Sequence, residues 1–299
     1  MDETQWLADR FEEHRAYLRG VAYRMLGSLA EADDAVQDTW LRLARSGPGE
    51  DGNLRGWLTT VTARVCLNVL RARNARREEP LPPSLPDPVV SPDAGLQPEE
   101  EALLADSVGL ALQVVLDTLT PAERLAFVLH DMFRLPFDEI APMAGKTPAA
   151  ARQLASRARR RIGGAGIPPP DPDIARQREV VDAFFKAARR GDFGALVAVL
   201  DPGVVLRIDA GATRRAGSQQ IRGADAVARQ ALTGLVGVLQ VAELCPALVN
   251  GAAGMVVMMH RRPVTVMGFT VADGKIAEID SIADPDRVGE ITAAAFTGS

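Results

Sequence analysis

Hydrophobic and polar positions follow two different patterns along this chain, and the two patterns occupy different stretches. Up to about residue 77, and again from 120 to 162, apolar residues recur every three or four positions, which predicts amphipathic helices. From 204 to 282 the apolar residues form short runs rich in β-branched side chains and separated by turn residues, which predicts strands. The patterns therefore indicate two all-α domains followed by an α+β domain.

The first helical stretch predicts two long helices joined by a glycine-rich loop. Ser28 is followed three residues later by Glu31, which has the form of a capping box, so a helix should begin there and run to about Arg45. The loop covers residues 46–53 and the second helix covers residues 54–77. Apolar residues and arginines interleave on this second helix, so we expect one face to be buried and the basic face to be exposed.

The second helical stretch predicts a helix-turn-helix. Thr120-Pro121-Ala122-Glu123 combines a threonine cap, a proline at the first helical position and a glutamate three residues after the cap. A short helix follows over Phe137–Ala141, Gly145-Lys146 makes a tight turn, and Thr147-Pro148 begins a last helix that runs to Arg161. Arginines crowd this last helix, as expected of a helix that lies on DNA. An ordinary helical hairpin with a solvated basic face is the alternative.

Two linkers divide the chain. The first, residues 79–98, is rich in proline and acidic residues and should run extended, whereas the second, residues 164–173, stops a helix and continues as a stiff spacer. The predicted domains cover residues 5–78, 99–163 and 174–290. The last domain should begin with a helix over Ile174–Arg190 and include a tight hairpin turn at Ala272-Asp273-Gly274-Lys275. Its predicted strands cover residues 204–209, 241–249, 255–262, 264–272 and 275–282.

Composition narrows the classes of function. The hydrophobic share of 47% is enough for real cores, and the net charge of −5 argues against a general polyanion binder, so the arginine clusters should act selectively. Cys66 and Cys245 show no pairing pattern and the three histidines show no zinc spacing, so we expect reduced thiols, no metal and no cofactor. A signal peptide and an apolar run of membrane-spanning length are both lacking, which predicts a cytoplasmic protein without a membrane partner.

Four motifs occur in a distinctive order in the helical part. They are Ala32-Asp33-Asp34-Ala35-Val36-Gln37-Asp38-Thr39-Trp40-Leu41-Arg42-Leu43, Arg55-Gly56-Trp57-Leu58, Phe137-Asp138-Glu139-Ile140-Ala141 and Arg152-Gln153-Leu154-Ala155-Ser156-Arg157-Ala158-Arg159. Together they resemble the extracytoplasmic-function (ECF) group of bacterial RNA polymerase sigma factors over roughly residues 5 to 165. The resemblance implies sigma domains two and four, with core RNA polymerase and promoter DNA as partners. A stand-alone DNA-binding regulator is the alternative.

The resemblance also implies roles for individual residues. In this family an acidic helix docks on a coiled coil of the polymerase, and the corresponding residues here are Asp34, Gln37, Asp38 and Leu41. Promoter DNA would be contacted by Arg64, Asn68, Arg71, Arg73, Arg152, Gln153, Arg157 and Arg160. The acidic linker would thread the basic cleft that later holds nucleic acid, unless it is a plain spacer.

A second set of motifs lies in the last third of the chain. They are Val181-Asp182-Ala183-Phe184-Phe185, Gly191-Asp192-Phe193, Pro202-Gly203-Val204-Val205-Leu206, Ile221-Arg222-Gly223-Ala224-Asp225-Ala226-Val227 and Phe269-Thr270-Val271-Ala272-Asp273-Gly274-Lys275. They resemble the SnoaL-like domain, a cone of helices around a curved sheet that encloses a pocket. A minority class of sigma factors carries this domain at the C-terminus, which implies a built-in regulator.

Three signatures of that class are present in altered form. They are Leu85-Pro86-Asp87-Pro88 in the linker, Asp209-Ala210-Gly211-Ala212-Thr213-Arg214, and Asp284-Pro285-Asp286-Arg287. The resemblance implies that Asp209, Asp284, Pro285, Asp286 and Arg287 act in regulation between the domains.

The pocket of the last domain allows two further interpretations. Some free-standing SnoaL-like proteins are enzymes, in which Asp209, His260 or Asp280 would act as acid and base, but one isolated histidine favours a protein that is not an enzyme. A ligand-sensing cavity would take a small molecule of unknown identity, although the same side chains could simply be core. Its lining would be Met255, Met258, Met259, Met267 and Phe269.

Overall fold

The computed structural model describes residues 3–47, 53–76, 85–92, 109–164, 166, 168, 170–211 and 218–296. The chain folds as two compact units. The first contains residues 1–80, 97–106 and 113–166, and the second contains residues 81–96, 107–112 and 167–299. The described part of the linker that separates the two helical stretches in sequence, residues 85–92, therefore belongs to the second unit.

Three long helices open the first unit. They are α1 (Glu3–Leu26), α2 (Leu29–Ser46) and α3 (Leu54–Arg76). Ser28 caps α2 by accepting a hydrogen bond from the Glu31 amide at 3.5 Å, as the sequence pattern predicts. Their largest fully buried side chains include Phe11, Leu18, Met25, Leu43, Leu58 and Leu67. The Thr39 and Thr62 hydroxyls share a hydrogen bond of 3.0 Å within this core, which joins α2 to α3.

Four shorter helices follow. They are α4 (Leu110–Leu116), α5 (Pro121–Phe127), α6 (Phe137–Ala144) and α7 (Pro148–Gly164). The capping box of Thr120 and Glu123 forms in both directions. A π-helical segment, Val128–Met132, continues α5 and is not predicted by the sequence. Gly145 ends α6 with φ 66°, and the Thr147 hydroxyl accepts a hydrogen bond of 3.2 Å at the start of α7. The helix-turn-helix is confirmed.

A mixed sheet of seven strands forms the frame of the second unit. Its strands are β1 (Val90–Pro92), β2 (Leu200–Asp209), β3 (Ser218–Arg222), β4 (Glu243–Val249), β5 (Ala252–Met259), β6 (Arg262–Ala272) and β7 (Lys275–Ile282). Their order is β1-β4-β5-β6-β7-β2-β3, and every neighbouring pair is antiparallel except β2 and β7. The unit also contains α8 (Ile174–Arg190), α9 (Phe193–Val199), α10 (Ala224–Leu239) and α11 (Pro285–Phe296).

The apolar core of the second unit lies between one face of the sheet and α8, α9 and α10. Phe184, Phe185 and Phe269 form a cluster there with ring centroids 5.4–5.9 Å apart. Because side chains alternate along a strand, residues next to these core positions lie on the other face of the sheet. On that side α11 packs against β6 and β1.

Four elements of the second unit are not predicted by the sequence: β1, β3, α10 and α11. The two strands have only three and five residues, which is too short for alternation to be visible. In α10 apolar residues occur on most faces and two glycines interrupt the second half, so the helical period is weak. The fold class itself, helical domains followed by an α+β domain with a curved sheet, is confirmed.

Candidate functional site

An acidic and partly apolar face runs along α2. The four residues predicted to contact polymerase all point to solvent, Asp34, Gln37, Asp38 and Leu41. Leu41 keeps 42% of its surface exposed, although leucine is usually buried. The neighbouring Asp33 is bound by Arg19 at 2.7 Å, so its charge is already partnered. The opposite side of α2 lies in the three-helix core, which fixes the direction of the exposed face.

The residues of α3 predicted to contact DNA differ in their surroundings. Arg64, Asn68 and Arg71 are exposed on one side of the helix. Arg73 is half-buried and forms an ion pair with Glu31 at the start of α2. The guanidinium of Arg73 therefore stabilises the helix bundle in this structure. The loop before α3, residues 48–52, lies outside the described residues.

Backbone carbonyl oxygens at the end of α1 bind three side chains that the sequence does not single out for this role. Arg124, which is only 2% exposed, donates to the Arg24 carbonyl oxygen through Nε at 3.2 Å and Nη2 at 3.1 Å. Gln113 donates to the same oxygen at 3.4 Å, and Arg73 donates to the Leu26 carbonyl oxygen at 2.9 Å. These bonds satisfy carbonyls that a helix end leaves unpaired and tie α4 and α5 to α1.

The basic residues of α7 divide by what they contact. Arg159 pairs with Asp131 at 2.9 Å and Arg161 pairs with Glu123 at 3.1 Å, so both bind within the domain. The four residues predicted to contact DNA are exposed, Arg152, Gln153, Arg157 and Arg160. Within the described part of the chain, no ion pair involves any of these three arginines. Their charges face solvent as a contiguous basic surface on a helix-turn-helix.

Residues 85–92, which we call the linker segment, are docked on the second unit through Arg287. Arg287 donates to the Asp87 carboxylate at 2.5 Å, to the Asp209 carboxylate at 2.7 Å and to the Leu85 carbonyl oxygen at 2.6 Å. Asp209 also accepts a hydrogen bond from the Leu85 amide at 2.8 Å. Burial lowers the pKa of Arg287, but the two carboxylates outweigh it and raise the pKa overall. The three altered signatures therefore meet at one guanidinium.

The Asp284 side chain fixes the position of Arg287. Its carboxylate accepts hydrogen bonds from the amides of Asp286 at 3.0 Å and Arg287 at 3.3 Å, which begins α11 directly after Pro285. A Cβ atom at Gly211 would lie only 2.0 Å from the Asp284 carboxylate, so glycine is required there for close approach. All five predicted regulatory residues thus belong to one cluster, although their regulatory role stays a prediction.

Asn250 holds the other end of the linker segment. Its Oδ1 accepts a hydrogen bond from the Val89 amide at 2.7 Å, and its amide donates to the Val89 carbonyl oxygen at 2.8 Å. Beyond this point β1 pairs with β4, with Val90 opposite Val249. Asn250 is not predicted by the sequence, where the Asn-Gly pair at 250–251 indicates only a turn; its φ is 50°. The linker segment is therefore bound at both ends and buried.

A buried ion cluster lies on the sheet face opposite α8, α9 and α10. Arg207 on β2 donates to Glu278 and Asp280 on β7, each at 3.0 Å. Burial raises the pKa of Asp280 from 3.8 to about 6, although Arg207 acts in the opposite direction. Both carboxylates are satisfied by the arginine, which is the arrangement of a structural ion cluster.

The predicted pocket residues are mostly part of the core. Met255, Met267 and Phe269 are at most 4% exposed and pack in the apolar cluster under the helices. His260 lies in the exposed turn between β5 and β6. Asp209 is the last residue of β2, and β7 separates β2 from β6 in the sheet. The structure therefore does not bring His260 next to Asp209. An open groove of about 500 Å³ exists elsewhere, at the start of α10.

Among the described residues, no helix is both long and apolar enough to cross a membrane. The same residues contain no group of three or more His, Cys, Asp or Glu side chains suited to a metal ion.

The helical parts of the chain match two known family descriptions, Sigma-70 region 2 over residues 10–76 and Sigma-70, region 4 over residues 109–162. These matches cover α1–α3 and α4–α7. The acidic face of α2 and the basic face of α7 thus fall inside regions of named families, whereas the linker segment and the sheet fall outside them.

Similarity to individual proteins extends over the whole chain. The probable ECF RNA polymerase sigma factor SigI of Mycobacterium tuberculosis is 36% identical over 293 residues, covering 98% of each chain. The ECF sigma factor SigJ of the same organism is 38% identical over 304 residues, covering 97% of this chain and 93% of SigJ. The crystal structure of SigJ superposes with a TM-score of 0.76 and covers 94% of this chain and 97% of that one. Since these relatives include the sheet domain as well as the helices, the chain belongs to the family of extracytoplasmic-function RNA polymerase sigma factors.

Proposed function

We propose that this chain binds core RNA polymerase, directs it to specific promoters, and is regulated by its own C-terminal domain without catalysing a reaction. The observation that carries the proposal is that one helical unit presents two exposed charged surfaces. These are the acidic face of α2 and the basic face of α7, and both lie in regions typical of sigma factors. Sigma-factor relatives of nearly the same length support the same activity.

Polymerase binding is assigned to the exposed face of α2. Asp34 and Asp38 supply negative charge, Gln37 supplies a hydrogen-bonding group, and Leu41 supplies an apolar contact that would otherwise stay in water. Charges of this kind steer association, and a central apolar side chain that becomes buried adds affinity.

Promoter contacts are assigned to α3 and α7. On α7, Arg152 and Gln153 lie in the first half of the helix, where base edges are read, while Arg157 and Arg160 suit phosphates. On α3, Arg64, Asn68 and Arg71 are the exposed candidates. Arg73 would have to leave Glu31 before it could contact DNA, so we assign it a smaller contribution.

Regulation is assigned to the linker segment and to packing inside the helical unit. The linker lies between the two sigma regions in sequence, so its docking through Arg287 limits how far those regions can separate. Within the first unit, Arg124 binds the end of α1, and Arg64 reaches the Pro142 carbonyl oxygen of α6 at 3.5 Å. These contacts support a compact state of the helical regions when polymerase is absent.

Run-off transcription with core RNA polymerase tests the proposal. The wild-type chain should give promoter-dependent transcripts, and Asp38→Arg should reduce them by about tenfold or more because it reverses a charge on the docking face. Asp182→Arg is a matched control, since Asp182 is exposed on α8 in the second unit and should leave the transcripts unchanged.

Two outcomes would overturn the proposal. Sequence-specific promoter binding by the purified chain alone, unaffected by Asp38→Arg and without any transcript in the presence of polymerase, would indicate a stand-alone DNA-binding regulator. Turnover of a small molecule that is lost in both His260→Ala and Asp209→Ala would indicate an enzyme.

A further inference from the structure

An aromatic stack lies at the entrance of the helix-turn-helix. Phe137, the first residue of α6, is half-buried, and the ring of His130 stacks on it with centroids 3.8 Å apart and an interplanar angle of 28°. Neither ring belongs to the buried core of the domain. Both rings therefore keep part of their surface exposed at the start of α6.

The backbone around His130 fixes its ring. His130 Nδ1 lies 2.9 Å from the Leu135 carbonyl oxygen, and because that oxygen can only accept, Nδ1 carries the proton. The π-helical segment that contains His130 places its ring beside α6, and the Leu135 amide donates to the Leu129 carbonyl oxygen at 2.9 Å. Arg134 closes this turn with φ 60°, a left-handed conformation that is uncommon for residues other than glycine.

Arg152 of α7 lies over the ring of Phe137. Its Cζ is 5.4 Å from the ring centroid, within the range of a cation–π contact. Arg159 and Arg161 on the same helix are held by carboxylates, whereas Arg152 has an aromatic face as its contact. A ring leaves every N–H donor of the guanidinium available, while a carboxylate would occupy two of them.

We propose that Phe137, backed by His130, is a positioning residue that holds Arg152 for two hydrogen bonds to one guanine of the upstream promoter element. A free arginine side chain loses much rotamer freedom when it binds a base, and contact with a fixed ring removes part of that loss beforehand. Arg152 lies in the first half of α7, which is where a recognition helix meets base edges. The inference rests on the proposed sigma function.

The positioning role is tested by selection from a promoter library that is randomised in the upstream element. The selected sequences are those bound by core polymerase with the full chain. Arg152→Ala should remove the preference for guanine at one base pair. Phe137→Ala should weaken the preference at the same base pair by about tenfold and leave the other positions unchanged. Phe137→Tyr should keep the preference for guanine at this base pair, because a phenol ring offers the same face. The double variant Phe137→Ala/Arg152→Ala should be no worse than Arg152→Ala alone.

Phe137→Leu is a control for loss of folding, because it keeps an apolar side chain at the start of α6 but offers no ring. We expect it to retain the thermal unfolding midpoint of the wild type more nearly than Phe137→Ala, and to lose the same base preference. An equal loss at every base pair, or an additive double variant, would overturn the positioning role.

The same selection separates this inference from the sigma function itself. If Arg152→Ala removes one base preference and Phe137→Ala and Phe137→Leu do not, the positioning role is wrong and the promoter-directing function stands. If the wild-type chain with core polymerase selects no sequence at all, the proposed function is wrong and the inference falls with it.

Discussion

Arg287 binds three partners with one guanidinium, and two of them belong to the linker segment. Its side chain is 23% exposed and that of Asp209 only 4%, so the charges are largely removed from water. Removing one member of such a cluster leaves the others unpaired, which costs more than the loss of an exposed ion pair.

We expect Arg287→Ala to lower the free energy of unfolding of the second unit by about 3 kcal/mol, because Asp209 loses its counter-charge in a buried site. Arg287→Lys should lower it less, since an ammonium keeps the charge but cannot form the forked hydrogen bonds. Urea unfolding followed by circular dichroism measures both. Arg176→Ala is the control: Arg176 pairs with Asp173 at 3.2 Å on the exposed surface, and its loss should cost under about 1 kcal/mol. Equal effects of Arg287→Ala and Arg176→Ala would contradict the buried cluster.

Asp280 gives the stability a dependence on pH. Its pKa is about 6 in the folded chain against an ordinary value of 3.8, so folding favours the protonated form. The resulting contribution is complete below about pH 4 and is lost as the pH rises through 6, with an upper limit of about 3 kcal/mol. Asp280→Asn should therefore flatten the slope of unfolding free energy between pH 4 and 6.5, measured by urea titration. An unchanged slope, equal to that of the exposed control Asp182→Asn, would show that Asp280 does not titrate in this range.

Local sequence signals predict where several helices of the first unit begin, but they predict neither α1 and α4 as separate helices nor which side chains pair between helices. Ser28, Thr120 and Thr147 cap helices where the sequence predicts caps, because a cap depends only on residues within one turn. Which arginines of α7 are free could not be predicted, since Asp131 and Glu123 come from other helices. The residues left free are nevertheless the ones that the family resemblance assigns to DNA.

The linker segment illustrates a different limit of sequence reasoning. Its prolines correctly predict an extended chain, but extension alone does not reveal a partner strand. The pairing of Val90 with Val249 joins residues far apart in sequence, and the Asn250 clamp adds two hydrogen bonds that no periodicity indicates. Local rules give the conformation of this segment, and only tertiary structure gives its binding site.

Arg157 and Arg160 on α7 should add to DNA affinity in the same way for every promoter sequence. Arg157→Ala and Arg160→Ala each remove a free cation, so each should weaken binding to all promoter sequences alike and reduce the slope of log affinity against log salt by about 1. Arg159→Ala is a matched control on the same helix, because Arg159 is paired with Asp131, and its effect on the slope should be smaller. Fluorescence anisotropy with core polymerase and promoter DNA at several salt concentrations measures this. A larger effect from Arg159→Ala would reverse the assignment.

The linker connects the two sigma regions and is also bound by the C-terminal domain. In sequence it joins sigma regions 2 and 4, and in structure its described residues, 85–92, belong to the second unit. A segment that is bound at Leu85, Val89 and Val90 cannot at the same time extend freely between the two regions. We therefore propose release of the linker segment as the step at which the C-terminal domain controls promoter binding.

Truncation of the chain before Asp284 should release the linker segment, because it removes α11 and with it the Arg287 guanidinium that binds Asp87. Hydrogen exchange at the Leu85 and Val89 amides should become faster by about tenfold or more, and Arg287→Ala should have the same effect at Leu85. Both variants should then change run-off transcription in the same direction, since they act through the same bond. Truncation after Gly163 removes the whole docking site and supplies the limiting value of that change. If the linker amides exchange faster while transcription stays at the wild-type level in all three variants, neither docking of the linker nor the rest of the C-terminal domain regulates this sigma factor.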